Sequence, residues 1–123
     1  MNAHAQPRIV VLIPCYNEAS AIGNVVDAFR TALPEAQIFV YDNNSTDETI
    51  AVARRAGATV RSEKLQGKGN AVRRMFADIE ADAYVLVDGD GTYDASAAPR
   101  LLKRMLSEEL DMVTGVRIAE SAA

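Results

Sequence analysis

Two patterns of apolar residues alternate along the chain, and this alternation limits the folds that it can adopt. Continuous apolar runs typical of buried strands occur at residues 8–14, 37–41, 59–61, 83–87 and 112–118. Between them, apolar residues recur at helical spacing in residues 22–33, 45–57, 67–79 and 99–106. Strands that alternate with helices through short connections form right-handed βαβ units. The sequence therefore predicts an α/β fold, in which an open, mostly parallel, Rossmann-like sheet has helices on both faces.

Local signals mark the expected ends of these helices. Ser20 is placed to cap the first helix, and Ser45 or Thr46 is placed to begin the second. Gly57 suits the position that follows a helix C-terminus, and Pro99 suits the first turn of a helix.

The composition is that of one globular domain, residues 1–123. Hydrophobic residues make up 49% of the chain and charged residues 24%, which excludes the disordered and fibrous classes. The formal net charge is −4 and the acidic and basic residues are interleaved. The chain thus lacks the concentrated basic surface that nucleic-acid binding requires.

Cysteine content and hydropathy indicate a compartment. Cys15 is the single cysteine, so an intrachain disulfide is impossible and a reducing environment is expected. It lies next to an apolar run, which favours a buried small side chain over a nucleophile. No apolar run approaches the roughly 20 residues that span a bilayer. We expect a cytoplasmic protein, at most peripheral at the cytoplasmic face of the membrane.

A polar cluster follows most of the predicted strands. These clusters occupy residues 16–18, 42–45, 67–70 and 88–90. The carboxyl ends of parallel strands meet at one edge of a sheet, and ligands bind there. The sequence therefore predicts that the four clusters converge on one binding site.

The cluster at residues 88–90 has the chemistry of a metal site. Asp88 and Asp90 follow a buried strand, and alternate residues of a continuing strand would point the same way. Gly89 between them would let a ligand approach the backbone closely. Two nearby carboxylates repel unless a cation joins them, and hard divalent cations prefer oxygen ligands. The alternative is a solvated turn, since turns favour aspartate and glycine; convergence with the other clusters favours the metal.

Five short motifs carry a resemblance to a known family. They are IPCYNE at 13–18, YDNNSTDET at 41–49, GKGNA at 67–71, DGD at 88–90 and GVR at 115–117. In this order they resemble the IPxYNE, VDDGSTDGT, GKGxA, DXD and GSR motifs of family 2 glycosyltransferases, enzymes of the GT-A fold. The third and fifth are typical of the polyprenyl-phosphate sugar transferases, similar to dolichyl-phosphate mannose synthase. The chain departs from the pattern at Asn43, where the family usually has a second aspartate.

The resemblance implies a nucleotide pocket. Pro14, Tyr16 and Glu18 would line it, and Asp42 would contact the base. Asn44, which stands where the family has glycine, is assigned to the same pocket, with a role as a turn former as the alternative.

The resemblance also implies a metal and phosphate site. Asp88 and Asp90 would hold Mg²⁺ or Mn²⁺ against the donor pyrophosphate and so act in catalysis. Lys68 and Arg117 would lie near phosphates, while the alternatives are a solvated lysine and a surface ion pair. The implied donor is a UDP- or GDP-linked sugar.

The acceptor side is expected to be incomplete, because family members continue well beyond the GSR motif. This predicts a natural fragment or a shortened form that carries the donor half, with a second copy or a partner chain completing the fold. A polyprenyl phosphate is the favoured acceptor, because it is already anionic and needs no general base.

Two other classes of protein compete with a transferase. The first is a non-catalytic nucleotide-binding or assembly module derived from a truncated transferase. The second is a phosphoacceptor receiver domain, which is also a parallel α/β domain of this size. A receiver needs paired acids after its first strand, where this chain has residues 15–17, so that class is disfavoured.

Overall fold

The fold is a five-stranded parallel sheet with helices on both faces. A computed structural model describes residues 7–91, 94–107 and 112–114. In chain order the elements are β1 (Ile9–Cys15), α1 (Ile22–Ala32), β2 (Gln37–Asp42), α2 (Thr49–Arg55), β3 (Thr59–Ser62), α3 (Lys68–Asp78), β4 (Ala83–Leu86), a 3₁₀ turn (Ala95–Ala97), α4 (Ala98–Ser107) and β5 (Met112–Thr114). The predicted α/β class is confirmed.

Strand order places a crevice beside β1. The sheet runs β3-β2-β1-β4-β5, so the chain builds outward from β1 in one direction and then returns to its other side. Cys15 at the end of β1 is in register with Asp42 at the end of β2, and Leu12 is in register with Leu86. Ligands bind where the strand order of such a sheet reverses, which here is between β1 and β4.

Alternate residues of β1 enter two separate cores. Val11, Ile13 and Cys15 pack with buried residues of α1, α2 and α4, whereas Val10 and Leu12 pack with buried residues of α3. Because successive side chains of a strand point to opposite faces, this division shows that helices cover both faces. It also explains why the β1 sequence is apolar without alternation.

Helix α3 is fixed at its C-terminal end by a buried tyrosine. The Tyr41 hydroxyl donates a 2.7 Å hydrogen bond to Asp78, the last residue of α3. Burial, with the neighbouring carboxylate, raises the pKa of Tyr41 to about 12. The hydroxyl therefore stays a donor at neutral pH and ties α3 to β2.

Two predicted helix starts are wrong. Helix α1 has Ala21 at its N-cap with no side-chain cap, so Ser20 does not cap it. Helix α2 begins only at Thr49, because the backbone amides of Ser45 and Thr46 donate to other side chains. Such bonds compete with helix formation.

The other end signals are confirmed. Gly57 follows α2 with a φ of 103°, a conformation that glycine adopts without strain. Pro99 is the second residue of α4. Of the last predicted strand, residues 115–118 lie outside the described residues. Within the described ranges, none of the helices has the length and apolar character needed to cross a bilayer.

The two-core arrangement predicts a large cost for truncating β1. Leu12 is fully buried and Leu65 is 65% exposed. We expect Leu12→Ala to lower the free energy of unfolding by about 2–5 kcal/mol through lost burial and a cavity. Leu65→Ala, the same chemical change on the surface, should alter it by about 0.5 kcal/mol or less. Urea unfolding measures both; equal effects would contradict the assigned burial.

Candidate functional site

A cavity opens at the predicted edge of the sheet. Its volume is about 390 Å³, and the loops that follow β1 and β4 form much of its wall. Six of the predicted site residues line it: Pro14, Tyr16, Glu18, Lys68, Asp88 and Asp90. Asn43, Gln66 and Ala71 complete the side near α3. The clusters at 16–18, 67–70 and 88–90 thus each contribute predicted site residues to one cavity. From the cluster at 42–45, only Asn43 is among the lining residues.

The acidic motif lies on a turn rather than on a strand. β4 ends at Leu86, and residues 89 and 90 form a turn, so the expectation that Asp88 and Asp90 extend the strand is wrong. Both carboxylates still face the same cavity. The turn, and not strand alternation, brings them together.

Gly89 makes room for a buried thiol. A Cβ atom at position 89 would lie 2.6 Å from the Sγ atom of Cys15, closer than packed atoms allow. Cys15 is 3% exposed, and burial together with nearby carboxylates raises the pKa of its thiol. The prediction that Cys15 is a buried side chain is confirmed.

Several carboxylates lie in or near the cavity, and Lys68 forms an ion pair with one of them. Burial raises the pKa of Glu18, and the negative charges of Asp90, Asp47 and Asp88 raise it further. The Lys68 ammonium donates a hydrogen bond to Oδ1 of Asp88 and forms an ion pair with it. Lys68 is therefore neither free nor simply solvated in this state.

The acid pair fits a cation that shares its coordination with a ligand. Among the described residues, no group of three or more histidine, cysteine or acidic side chains is arranged to hold a metal ion. Mg²⁺ in nucleotide sites is typically held by one or two carboxylates together with phosphate oxygens and water. Asp88 and Asp90 suit that role.

Asp42 is buried and only half satisfied. It is 2% exposed, and its Oδ2 atom accepts a 3.0 Å hydrogen bond from the Ser45 amide. Its Oδ1 atom has no hydrogen-bond partner among the described residues. A buried acceptor left in this way costs stability. Asp42 is not among the residues that line the cavity, although its neighbour Asn43 is.

Asn43 is a residue whose role the sequence did not reveal. Its side-chain amide donates to the carbonyl oxygens of Glu63 and Leu65, each at 2.8 Å, and accepts from the Gly67 amide at 2.7 Å. Aspartate, which the family usually has here, could not make the two donations. In the sequence, only the departure from the family motif at position 43 indicated a special role. In the structure, Asn43 fixes residues 63–67, the loop before α3, and we call these three bonds the Asn43 clamp.

Asn44 and Asn17 act as turn formers. Their φ angles are 69° and 51°, in the left-handed region that asparagine tolerates. The Asn44 amide donates to the Lys64 carbonyl at 2.9 Å. Its assignment to the nucleotide pocket stays a prediction, and Arg117 lies outside the described residues.

The loop after β1 is held by the segment that precedes α2. The amide of Asn17 donates to Ser45 Oγ at 2.8 Å, and the amide of Glu18 donates to Thr49 Oγ1 at 2.9 Å. These bonds set the backbone of the segment that carries Tyr16 and Glu18 before any ligand arrives.

Sequence comparison decides the family. Residues 10–123 match the glycosyl transferase family 2. The chain belongs to this family. Protein RfbJ of Shigella flexneri is 58% identical to this family 2 chain over 109 residues, which make up 89% of the chain and 84% of RfbJ. A dolichyl-phosphate hexose transferase of Haloferax volcanii is 33% identical over 115 residues, or 93% of the chain and 50% of that protein.

Solved structures agree with the fold of the family 2 chain. Glucosyl-3-phosphoglycerate synthase of Mycobacterium tuberculosis, in complex with Mn²⁺ and UDP-glucose, superposes with a TM-score of 0.72 and 28% identity. The match covers 81% of the chain but only 39% of the synthase. The predicted GT-A class is confirmed, and the chain spans well under two thirds of the synthase and of the Haloferax transferase.

The Asn43 clamp predicts an asymmetric effect of two neighbouring substitutions. Asn43→Asp should lower the free energy of unfolding by about 2 kcal/mol or more, because a buried carboxylate would face two carbonyl oxygens. Asn44→Asp, at an exposed position, should cost less than about 1 kcal/mol. Denaturant unfolding measures both values, and an Asn43→Asp chain as stable as the parent would rule out the clamp.

Crowding of the carboxylates predicts a pH-dependent effect at Glu18. A carboxyl group whose pKa is raised by folding destabilises the folded chain once it ionises. Glu18→Gln should therefore raise the thermal midpoint of the metal-free chain at about pH 7, and the gain should vanish near the unfolded pKa of about 4.3. Glu35→Gln, an exposed control at the opposite edge, should have little effect. A gain that persists at low pH would contradict the electrostatic cause.

Proposed function

We propose that this chain binds a nucleotide-sugar donor together with Mg²⁺ or Mn²⁺ and serves as the donor half of a transferase. The observation that carries the proposal is the cavity at the strand-order reversal, which brings Tyr16, Glu18, Lys68, Asp88 and Asp90 together. Its volume of about 390 Å³ lies within the usual range for ligand pockets, about 300–1,000 Å³.

Asp88 and Asp90 would hold the cation against the diphosphate of the donor. A divalent cation held there would neutralise the charge that develops on the departing nucleoside diphosphate. Lys68 adds a second positive charge. Mn²⁺ and UDP-glucose bound to the mycobacterial synthase support this assignment.

Asp42 is the residue that would contact the base of the nucleotide. Its Oδ1 atom, which has no partner in the described part of the chain, would accept a ring N–H of uracil or guanine. Asp42 directly precedes the lining residue Asn43, so the base would reach it at the margin of the cavity. Pro14 and Tyr16 would supply apolar surface to the base or ribose. Tyr16 is 49% exposed, so its ring is available to a ligand.

A polyprenyl phosphate or similar lipid phosphate is the proposed acceptor. The similarity to a dolichyl-phosphate hexose transferase supports this class. A phosphate acceptor is anionic near neutral pH, so it needs positioning more than deprotonation. The chain would then act as a single donor-binding domain over residues 1–123, completed on the acceptor side by further protein.

Calorimetric titration with UDP and GDP, each with and without Mn²⁺, tests the donor site. We expect one nucleotide to bind, and to bind more tightly with Mn²⁺. Asp88→Asn should weaken Mn²⁺-dependent binding by about tenfold or more, because a charged ligand of the cation is lost. Asp27→Asn, an exposed aspartate on α1, is the matched control and should bind normally.

The result also separates the two function classes. Sugar transfer to a polyprenyl phosphate, or donor hydrolysis, supports a transferase, whereas binding without turnover supports the non-catalytic module. Absence of nucleotide binding under every condition would overturn both.

A further inference from the structure

The ion pair between Lys68 and Asp88 involves a carboxylate that the proposed cation would also bind. The Lys68 ammonium contacts Oδ1 of Asp88, and both side chains belong to the wall of the cavity. A metal ion bound at the same carboxylate would lie close to the Lys68 ammonium, and the repulsion between the two positive charges would weaken the lysine contact. We propose that Lys68 is the built-in counter-ion of the metal-free site, that cation binding displaces it from Asp88, and that the displaced ammonium then binds the donor diphosphate. The inference rests on the proposed function.

The site requires a positive charge before any ligand arrives. Glu18, Asp88 and Asp90 line one cavity, and Asp47 is near enough to affect Glu18. Among the described lining residues, Lys68 is the one lysine or arginine. It therefore relieves the repulsion between carboxylates that a cation would otherwise have to relieve.

The backbone of Lys68 is held in place, whereas most of its side chain is exposed to solvent. Lys68 is the first residue of α3, and Asn43 fixes the preceding residue by accepting from the Gly67 amide. The far end of α3 is fixed by the bond from Tyr41 to Asp78. In contrast, the Lys68 side chain is 60% exposed. Its four-carbon stem can therefore move the ammonium between two anions without a backbone change.

The ion pair between Lys68 and Asp88 is weak enough for a cation to displace the lysine. Asp88 is 36% exposed, so water screens the attraction, and exposed pairs shift an equilibrium by at most about fivefold. A divalent cation can displace so weak a partner. The donor diphosphate then offers Lys68 a stronger, charge-assisted contact. Cation and nucleotide should consequently bind with positive coupling, and Lys68 should carry part of that coupling.

Variants at Lys68 and Lys64 test the exchange by affinity. Lys68→Met should bind Mn²⁺ alone about three- to fivefold more tightly, because no ammonium has to leave Asp88. The same variant should bind UDP or GDP with saturating Mn²⁺ about tenfold more weakly. Lys64→Met removes an equal charge from an exposed lysine in the same loop, and should change either affinity less than about twofold. Electron paramagnetic resonance of free Mn²⁺ and calorimetry provide the measurements.

Nuclear magnetic resonance of ¹³C-dimethylated lysines tests the displacement directly. With diamagnetic Mg²⁺, the Lys68 signal should shift while the Lys64 signal stays in place. In Asp88→Asn, the Lys68 signal should already hold the shifted position without Mg²⁺. The Lys68→Met variant assigns the signal, and the chain remains otherwise unchanged.

The outcomes distinguish this inference from the function on which it rests. Mg²⁺ binding with an unmoved Lys68 signal, or weaker Mn²⁺ binding by Lys68→Met, would overturn the inference without overturning the proposed donor site. Failure of the parent chain to bind any cation or nucleotide would overturn the proposed function and the inference together.

Discussion

The site depends on the pairing of β1 with a strand on each side. Because β2 and β4 both hydrogen-bond to β1 in parallel, three strand ends lie side by side at one edge. Residues of the loops that follow β1 and β4 line the cavity at this edge. Loss of this pairing would scatter the carboxylates over unrelated surfaces.

A second layer of interactions turns that edge into a defined site. Side chains of one loop bind the backbone of another: Asn17 holds residues 46 and 47, and Asn43 holds residues 63–67. These bonds fix the backbone and leave Tyr16 and Lys68 exposed to a ligand. Preorganisation of this kind reduces the ordering that binding would otherwise require.

The sequence predicts the order of elements well because apolar periodicity records burial, and burial decides which segments become strands and helices here. It also predicts the edge of the sheet where Glu18, Lys68 and Asp88 meet, since parallel topology requires it. It does not predict the late start of α2, because the Asn17 side chain that accepts from the Thr46 amide lies far away in sequence. The Lys68–Asp88 pair and the clamp by Asn43 escape prediction for the same reason. Each joins segments about twenty residues apart or more, through side-chain geometry that no periodicity encodes.

The contact of Cys15 with Gly89 has a consequence for how such a sequence can change. A Cβ atom of residue 89 would lie 2.6 Å from the Cys15 sulfur and 3.5 Å from side-chain atoms of Ile13 and Ile22. A side chain at position 89 would push the acidic turn outward, and a larger residue at position 15 would do the same from the core. A side chain at position 89 is therefore tolerated only when residue 15 becomes smaller, and because Gly89 cannot become smaller, a larger residue at position 15 has no compensating change at position 89. The position of the acidic turn is in this way partly determined by the volume of the Cys15 side chain.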